Sequence, residues 1–262
     1  MTITTQLDLF SHCQRWRNGR ASYRPAGEVF DHSRASVALI DEASAKDFIV
    51  RNHYSRSYPA ARLRVGLLVK QPFQAERLAG VAVMSVPMNN SAISAWFPDL
   101  EARQGVELGR FCLEDSLEAN AETWFQARAL RLVRQHLPEV RAVLSYCDPM
   151  ARTTACGEVT FAGHVGTIYK AGSAKQLGRS TRRTLKLLPD GRVASERALS
   201  KIRNDESGAG YALAQLIAAG APNRLPFESG ADYLRRVDAQ GLFRPLRHPG
   251  NVVFGWRLKP WH

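Results

Sequence analysis

Between Asn120 and Leu137, apolar side chains recur at Trp124, Ala127, Leu130, Val133 and Leu137. That is the spacing of one helix face, and Pro138 stops it. Strand-like runs flank this helix: Val106–Leu113 before it and the apolar stretch RAVLSYC (141–147) after it. Upstream, Ser36–Ile40 reads as a strand, and Asp41-Glu42-Ala43 opens a helix running toward His53. Leu63–Val69 and Leu78–Val86 read as two strands joined by a hairpin-like Gln71-Pro72-Phe73-Gln74. Gly166–Ala171 reads as a further short strand. This order predicts an α/β (α+β) core, a mixed sheet with helices on both faces. With 262 residues, 45% of them hydrophobic, the chain can bury one sizeable core with elaborations. The expected organisation is an N-terminal arm (1–35), a catalytic core (36–170), a basic strand–turn–helix insertion (171–205) and a C-terminal extension packing on the core (206–262).

The formal net charge is +12, and most of it has one address. Residues 170–203 hold ten Lys and Arg against only Asp190 and Glu196, which accounts for eight of the twelve charges. Within this segment Arg183–Leu188 reads as a strand, Pro189-Asp190-Gly191 as a tight turn, and Ser195 as the N-cap of a helix through Ile202. A folded element studded with cations suits phosphate contacts along a duplex. The candidate DNA contacts are Lys175, Arg179, Arg182, Arg183, Lys186 and Arg192. Charge alone does not separate DNA from RNA.

No run approaches the roughly 18 apolar residues of a membrane span, and the basic segment has no broad apolar face for a membrane surface. MTITTQLDLF lacks the pattern of a secretory signal, so a cytoplasmic location is expected. Cys13, Cys112, Cys147 and Cys156 form no CxxC pair, which argues for reduced thiols and against a zinc ribbon.

Three segments carry polar residues that packing explains poorly. Asn52-His53-Tyr54-Ser55 ends the first helix, and Ser145-Tyr146-Cys147-Asp148-Pro149 delivers a carboxylate at the end of an apolar strand. Gly163-His164-Val165-Gly166-Thr167-Ile168-Tyr169 has glycines that permit close backbone approach. Strand ends are where α/β folds build ligand sites. The element order also matches the acyl-CoA-dependent N-acetyltransferase superfamily, whose sheet splays around a central cleft. The usual pyrophosphate loop of those enzymes is absent. Leu113-Glu114-Asp115-Ser116-Leu117-Glu118 stands there instead, with acidic side chains where phosphate needs bare amides.

The runs NHYS (52–55), ELGRFCL (107–113), NAETWF (120–125), SYCDP (145–149), GHVGTIY (163–169) and HPGN (248–251) resemble those of the phage Mom DNA-modification proteins. The resemblance implies an acetyltransferase-like fold and conversion of adenine in phage DNA to N6-carbamoylmethyladenine, which shields the DNA from host restriction. It implies a metal ion, iron in the family, held by His53, Tyr54, Asp148 and Tyr169, with an essential arginine at Arg110. Imidazole, carboxylate and phenol together make a hard-to-borderline site compatible with iron. Arg110 is placed to hold an anionic part of the group donor or to pair with Glu107 or Glu114. An acyl-CoA-type donor stays open. Ser145 at the strand end, and Asn120, Glu122 and Thr123 at the start of the long helix, are candidate substrate contacts; the last three either cap that helix or read adenine. An N6 amine inside a duplex is paired, so the base must swing out of the stack. Two other readings fit parts of the pattern: a plain N-acetyltransferase of a small amine or protein, and a DNA-binding protein without catalysis.

Overall fold

A computed structural model describes residues 11–17, 20–25, 29–70 and 73–259. In chain order the elements are β1 (Ser11–Arg17), β2 (Arg20–Pro25), β3 (Ala35–Leu39), α1 (Glu42–Asn52), β4 (Ala61–Val69), β5 (Arg77–Ser85), α2 (Ala92–Trp96), β6 (Gly105–Leu113), α3 (Ala121–His136) and β7 (Ala142–Cys147). There follow β8 (Arg152–Thr153), β9 (Val159–Phe161), α4 (Thr167–Ala171), β10 (Lys175–Arg179), β11 (Arg183–Leu187), α5 (Glu196–Arg203), α6 (Ala209–Ala218), α7 (Gly230–Ala239), β12 (Arg244–His248) and β13 (Val252–Arg257). The chain divides into two compact units. The first runs to Cys147 and adds His164–Gly178 and the chain from Val252; the second is Asp148–Gly163 with Arg179–Asn251.

The first unit is built on a seven-stranded mixed sheet of order β10-β13-β7-β6-β5-β4-β3. From β13 to β3 every neighbouring pair is antiparallel except β6 and β7. Parallel neighbours need a long crossover, and α3 supplies it. Side chains alternate across the sheet and sort its two cores. Val81 and Val83 of β5 join Ala45, Phe48 and Ile49 of α1, whereas Ala82 and Met84 face the layer holding Phe125, Ala129 and Val133 of α3. Helices therefore cover both faces, as the sequence predicts. Asp41 caps α1 through its carboxylate, accepting from the Ser44 N–H at 2.8 Å.

The expected strands from Ser36 to Cys147 form with ends shifted by one or two residues. Two expectations are corrected. Gly166–Ala171 is not a strand: Gly166 sits at φ 77° and opens the short helix α4. A Cβ there would collide with Phe254, so the site demands glycine for space as well as for its left-handed backbone. The C-terminal segment is also more than an extension packing on the core, because β13 is hydrogen-bonded to β7 along its whole length. The N-terminal arm carries the antiparallel β1–β2 hairpin; the rest of residues 1–28 lies outside the described residues.

The second unit surrounds its own core, in which Leu188, Leu199 and Ile202 pack with Leu216, Tyr233, Val237 and Phe243. The strand, turn and helix expected between Arg183 and Ile202 all form, with Ser195 capping α5. They are not a free-standing insertion: β11 pairs with β12 and α5 packs on α6 and α7. Cys112 and Cys147 are buried and Cys156 is exposed; the side chain of Cys13 lies outside the described residues. No helix among the described residues is long and apolar enough to cross a membrane.

Candidate active site at the opening of the sheet

The parallel ladder between β6 and β7 is short. It runs from Gly105↔Ala142 to Glu107↔Leu144 and stops. Beyond that point β6 continues to Leu113 on β5, and β7 continues to Cys147 on β13. The sheet opens between them. A bulge sits at the opening, because β5 pairs Val83 with Arg110 and Met84 with Leu108, which leaves Gly109 as the extra residue. A Cβ on Gly109 would strike the Ser85 hydroxyl. Bulges re-aim side chains, and here Arg110 directly follows the extra residue while Glu107 stands two places before it.

Arg110 is held by three donated bonds. Its Nε reaches the Ser57 carbonyl at 2.8 Å, Nη2 the Ser57 hydroxyl at 2.8 Å, and Nη1 the Gly109 carbonyl at 2.6 Å. The guanidinium thereby fastens the loop leaving α1 to β6. That loop presents His53 and Tyr54, whose rings lie 4.3 Å apart. The Ser55 N–H donates to His53 Nδ1 at 3.1 Å, and the Ser55 hydroxyl lies 2.8 Å from the same atom. Burial pushes the Arg110 pKa down, while Tyr54, Glu107 and Tyr169 push it back up. These four side chains share one electrostatic neighbourhood.

Across the opening, Ser145 Oγ donates to the Leu108 carbonyl at 3.1 Å. The same hydroxyl is hydrogen-bonded to Tyr169, whose ring lies among Phe254, Trp256 and His164. Burial raises the Tyr169 pKa, with Cys147 adding to the rise, so the phenol is neutral and serves as a donor. Burial also pushes the Cys147 thiol up to about 12, which makes it inert as a nucleophile. Glu107 is raised by burial and lowered by Arg110. Tyr146 is raised by burial and by Glu107, against a hydrogen bond with Trp96. A desolvated carboxylate beside a guanidinium and phenols is the kind of group that active sites use for proton transfer. Sequence reasoning missed Glu107. In the sequence it stood only as a possible ion-pair partner of Arg110, the other charged residue of an otherwise apolar strand.

Asp148 belongs to the second unit and is fully engaged there. Oδ1 accepts from the Met150 N–H at 3.0 Å and lies 2.8 Å from His248 Nε2; Oδ2 accepts from Arg152 at 2.7 Å. His248 is 2% exposed, and its Nδ1 accepts from the Gly250 N–H, so Nε2 carries the proton and donates to Asp148. The HPGN run is thus the lock on this carboxylate.

An iron centre made of His53, Tyr54, Asp148 and Tyr169 does not fit these surroundings. Both Asp148 oxygens are taken by a cation, an imidazole and an amide, Tyr169 is bound to Ser145, and the positive charge beside the two phenols is Arg110. Among the described residues no group of three or more His, Cys, Asp and Glu is gathered as a metal site.

The other expected contacts divide. Asn120 begins α3 at φ 70° without capping it through its side chain; its carbonyl accepts from the Thr123 hydroxyl at 3.1 Å, and Glu122 lies in the same first turn. Arg110 forms no ion pair with Glu114, which is bound to Arg77. In the basic segment Lys186 pairs with Asp238 at 2.6 Å and Arg192 with Asp190 at 2.6 Å, so their charges are compensated locally. Lys175, Arg179, Arg182 and Arg183 are exposed and have no carboxylate partner among the described residues.

A model of the Mom protein family matches residues 34–224, which include the opening, the α1 loop and the basic segment. The chain belongs to the Mom protein family. As a Mom protein it is a DNA-modifying enzyme, and its substrate is DNA. The Mom match ends before β12 and β13, so the HPGN run and the last sheet strand lie beyond it. A search of curated proteins found no match.

Proposed function

We propose that this chain transfers a carbamoylmethyl group to N6 of adenine in double-stranded DNA, protecting phage DNA from restriction in the host cytoplasm. The observation that carries the reading is Arg110 tying the loop that presents Tyr54 to β6 at the sheet opening, with Glu107 and Tyr169 within its electrostatic reach, in a Mom protein. The sheet opening between two parallel strands supports kinship with the N-acetyltransferase superfamily. Tyr54 is 53% exposed and offers a ring face to an extruded base. Glu107, with its raised pKa, accepts the N6 proton as the new N–C bond forms and the donor's leaving group departs with the bonding electrons. Arg110 holds the polar head of the donor. Ser145 ties β7 to β6 through the Leu108 carbonyl, and Tyr169 supports Ser145 from α4. The acidic side chains of the loop Leu113–Glu118, with Glu114 paired to Arg77 and accepting from Ser116, argue against a pyrophosphate cradle there. On this reading the donor is held by Arg110.

Nucleoside mass spectrometry of DNA from cells expressing the chain tests the chemistry. An adenosine heavier by one carbamoylmethyl group is expected, and unmodified adenosine throughout overturns the assignment. Arg182→Ala with Arg183→Ala tests the arm. Each exposed cation neutralises about one phosphate, so the double variant is expected to lower the slope of log K against log salt by about two. It should weaken binding alike on all sequences. An unchanged slope removes these residues from the interface.

A further inference from the structure

The first unit contains a second concavity, at the far edge of the sheet. His32, with Ala35, Ser36 and Val37 of β3, forms one wall; Trp124, Arg128, Arg131 and Leu132 of α3 form the other. It encloses about 380 Å³. β3 is the edge strand, three strands from β6, which at roughly 4.8 Å per strand separates it from the opening by about 14 Å.

The groove is lined with donors. Arg128 lies flat on Trp124, its Cζ 3.6 Å from the ring centroid, and Nη1 donates to the Trp124 carbonyl at 3.3 Å. Its remaining N–H groups point elsewhere in a fixed fork. Phe30 and His32 meet the indole edge-on, at 5.4 and 6.3 Å. The indole Nε1–H is buried and has no hydrogen-bond partner among the described residues, and such a donor costs free energy unless something accepts from it. Arg131 stands one turn along α3 from Arg128. No carboxylate pairs with either arginine among the described residues, and the nearby Glu76 is hydrogen-bonded to Ser36 at 2.8 Å. Burial and the like charge of Arg131 both oppose the charge on Arg128, a cost that an anion would relieve.

We infer that this groove is a nucleotide-phosphate site, in which Arg128, Arg131, His32 and the Trp124 indole N–H converge on phosphate oxygens. The space exceeds what one inorganic ion fills and admits the sugar or base attached to it. The phosphate comes either from the backbone of bound DNA or from a free nucleotide. The site stands on the groove alone and does not depend on the adenine chemistry.

The test titrates the full-length chain with ADP and, separately, with a short blunt duplex at several salt concentrations. Arg128→Gln with Arg131→Gln is compared with wild type, after thermal melts show that both fold. Loss of ADP affinity by tenfold or more, with duplex binding unchanged, assigns the site to a free nucleotide. A duplex salt slope lowered by about two assigns it to the backbone. Trp124→Phe keeps an aromatic ring beneath Arg128 and removes the N–H, and is expected to weaken the same ligand several-fold. If the double variant melts early, the exposed Arg131→Gln alone should lower ADP affinity or lower the slope by about one. Wild-type binding of both probes by the folded variants overturns the site.

Discussion

Asp148→Ala is expected to destabilise the protein by about 3–5 kcal/mol, the usual cost of removing one partner from a buried charged pair. The reason is the number of groups that would lose their acceptor together. The His248 Nε2–H would be left in a place 2% exposed, and Arg152, stacked over Phe161 at 4.3 Å, would keep a desolvated charge without its counter-ion. The Met150 N–H would lose its turn acceptor as well. Asp148→Asn separates these contributions. Its amide oxygen can still accept from Met150 and His248, whereas its NH2 would face Arg152, so a smaller loss than for Ala is expected. Denaturant unfolding of both variants checks the order. A metal ligand behaves otherwise: Asp148→Ala would then melt like wild type while losing activity. That outcome would return the carboxylate to the iron-binding role that the family resemblance implies.

The case of Asp148 shows where local pattern stops being informative. Asp before Pro at the end of RAVLSYC marks a strand end, and that much is visible in sequence. Its partner His248 is 100 residues away and carries no periodic signal of the contact. The strands were legible because β5 and β7 are apolar on both faces, and α3 because its apolar spacing spans four turns. By contrast α4 is a single short helix rich in β-branched and aromatic residues, and what fixes it is the positive φ of Gly166 and the burial of Tyr169. β13 is as apolar as β7, yet its place beside β7 is a long-range pairing that no window of sequence encodes. The bulge at Gly109 is similar. It exists only relative to β5, so the run ELGRFCL reveals the arginine without showing that Glu107 stands on the other side of an extra residue.

Glu107→Gln is expected to reduce DNA modification by about 10²–10⁴-fold while raising stability at neutral pH by on the order of 1 kcal/mol. The two effects have one cause. Burial lifts the Glu107 pKa above the ordinary carboxylate value, with Arg110 offsetting part of the lift, so the folded protein holds this proton more tightly than the unfolded chain does. The stabilisation from that tighter binding is complete below the unfolded pKa and is lost as pH rises through the folded one. Above that folded pKa the wild type therefore carries a desolvated charge, which glutamine removes without changing shape. The stability gap between Glu107→Gln and wild type should close on acidification, and thermal melts across pH read this directly. Activity should follow the opposite course. A base must be ionised, so the wild-type rate should climb as pH rises through the lifted pKa, and the variant should show no such limb. A variant that keeps wild-type activity removes Glu107 from the chemistry. A variant destabilised equally at every pH would mean that the carboxylate holds Arg110 in place and takes no proton.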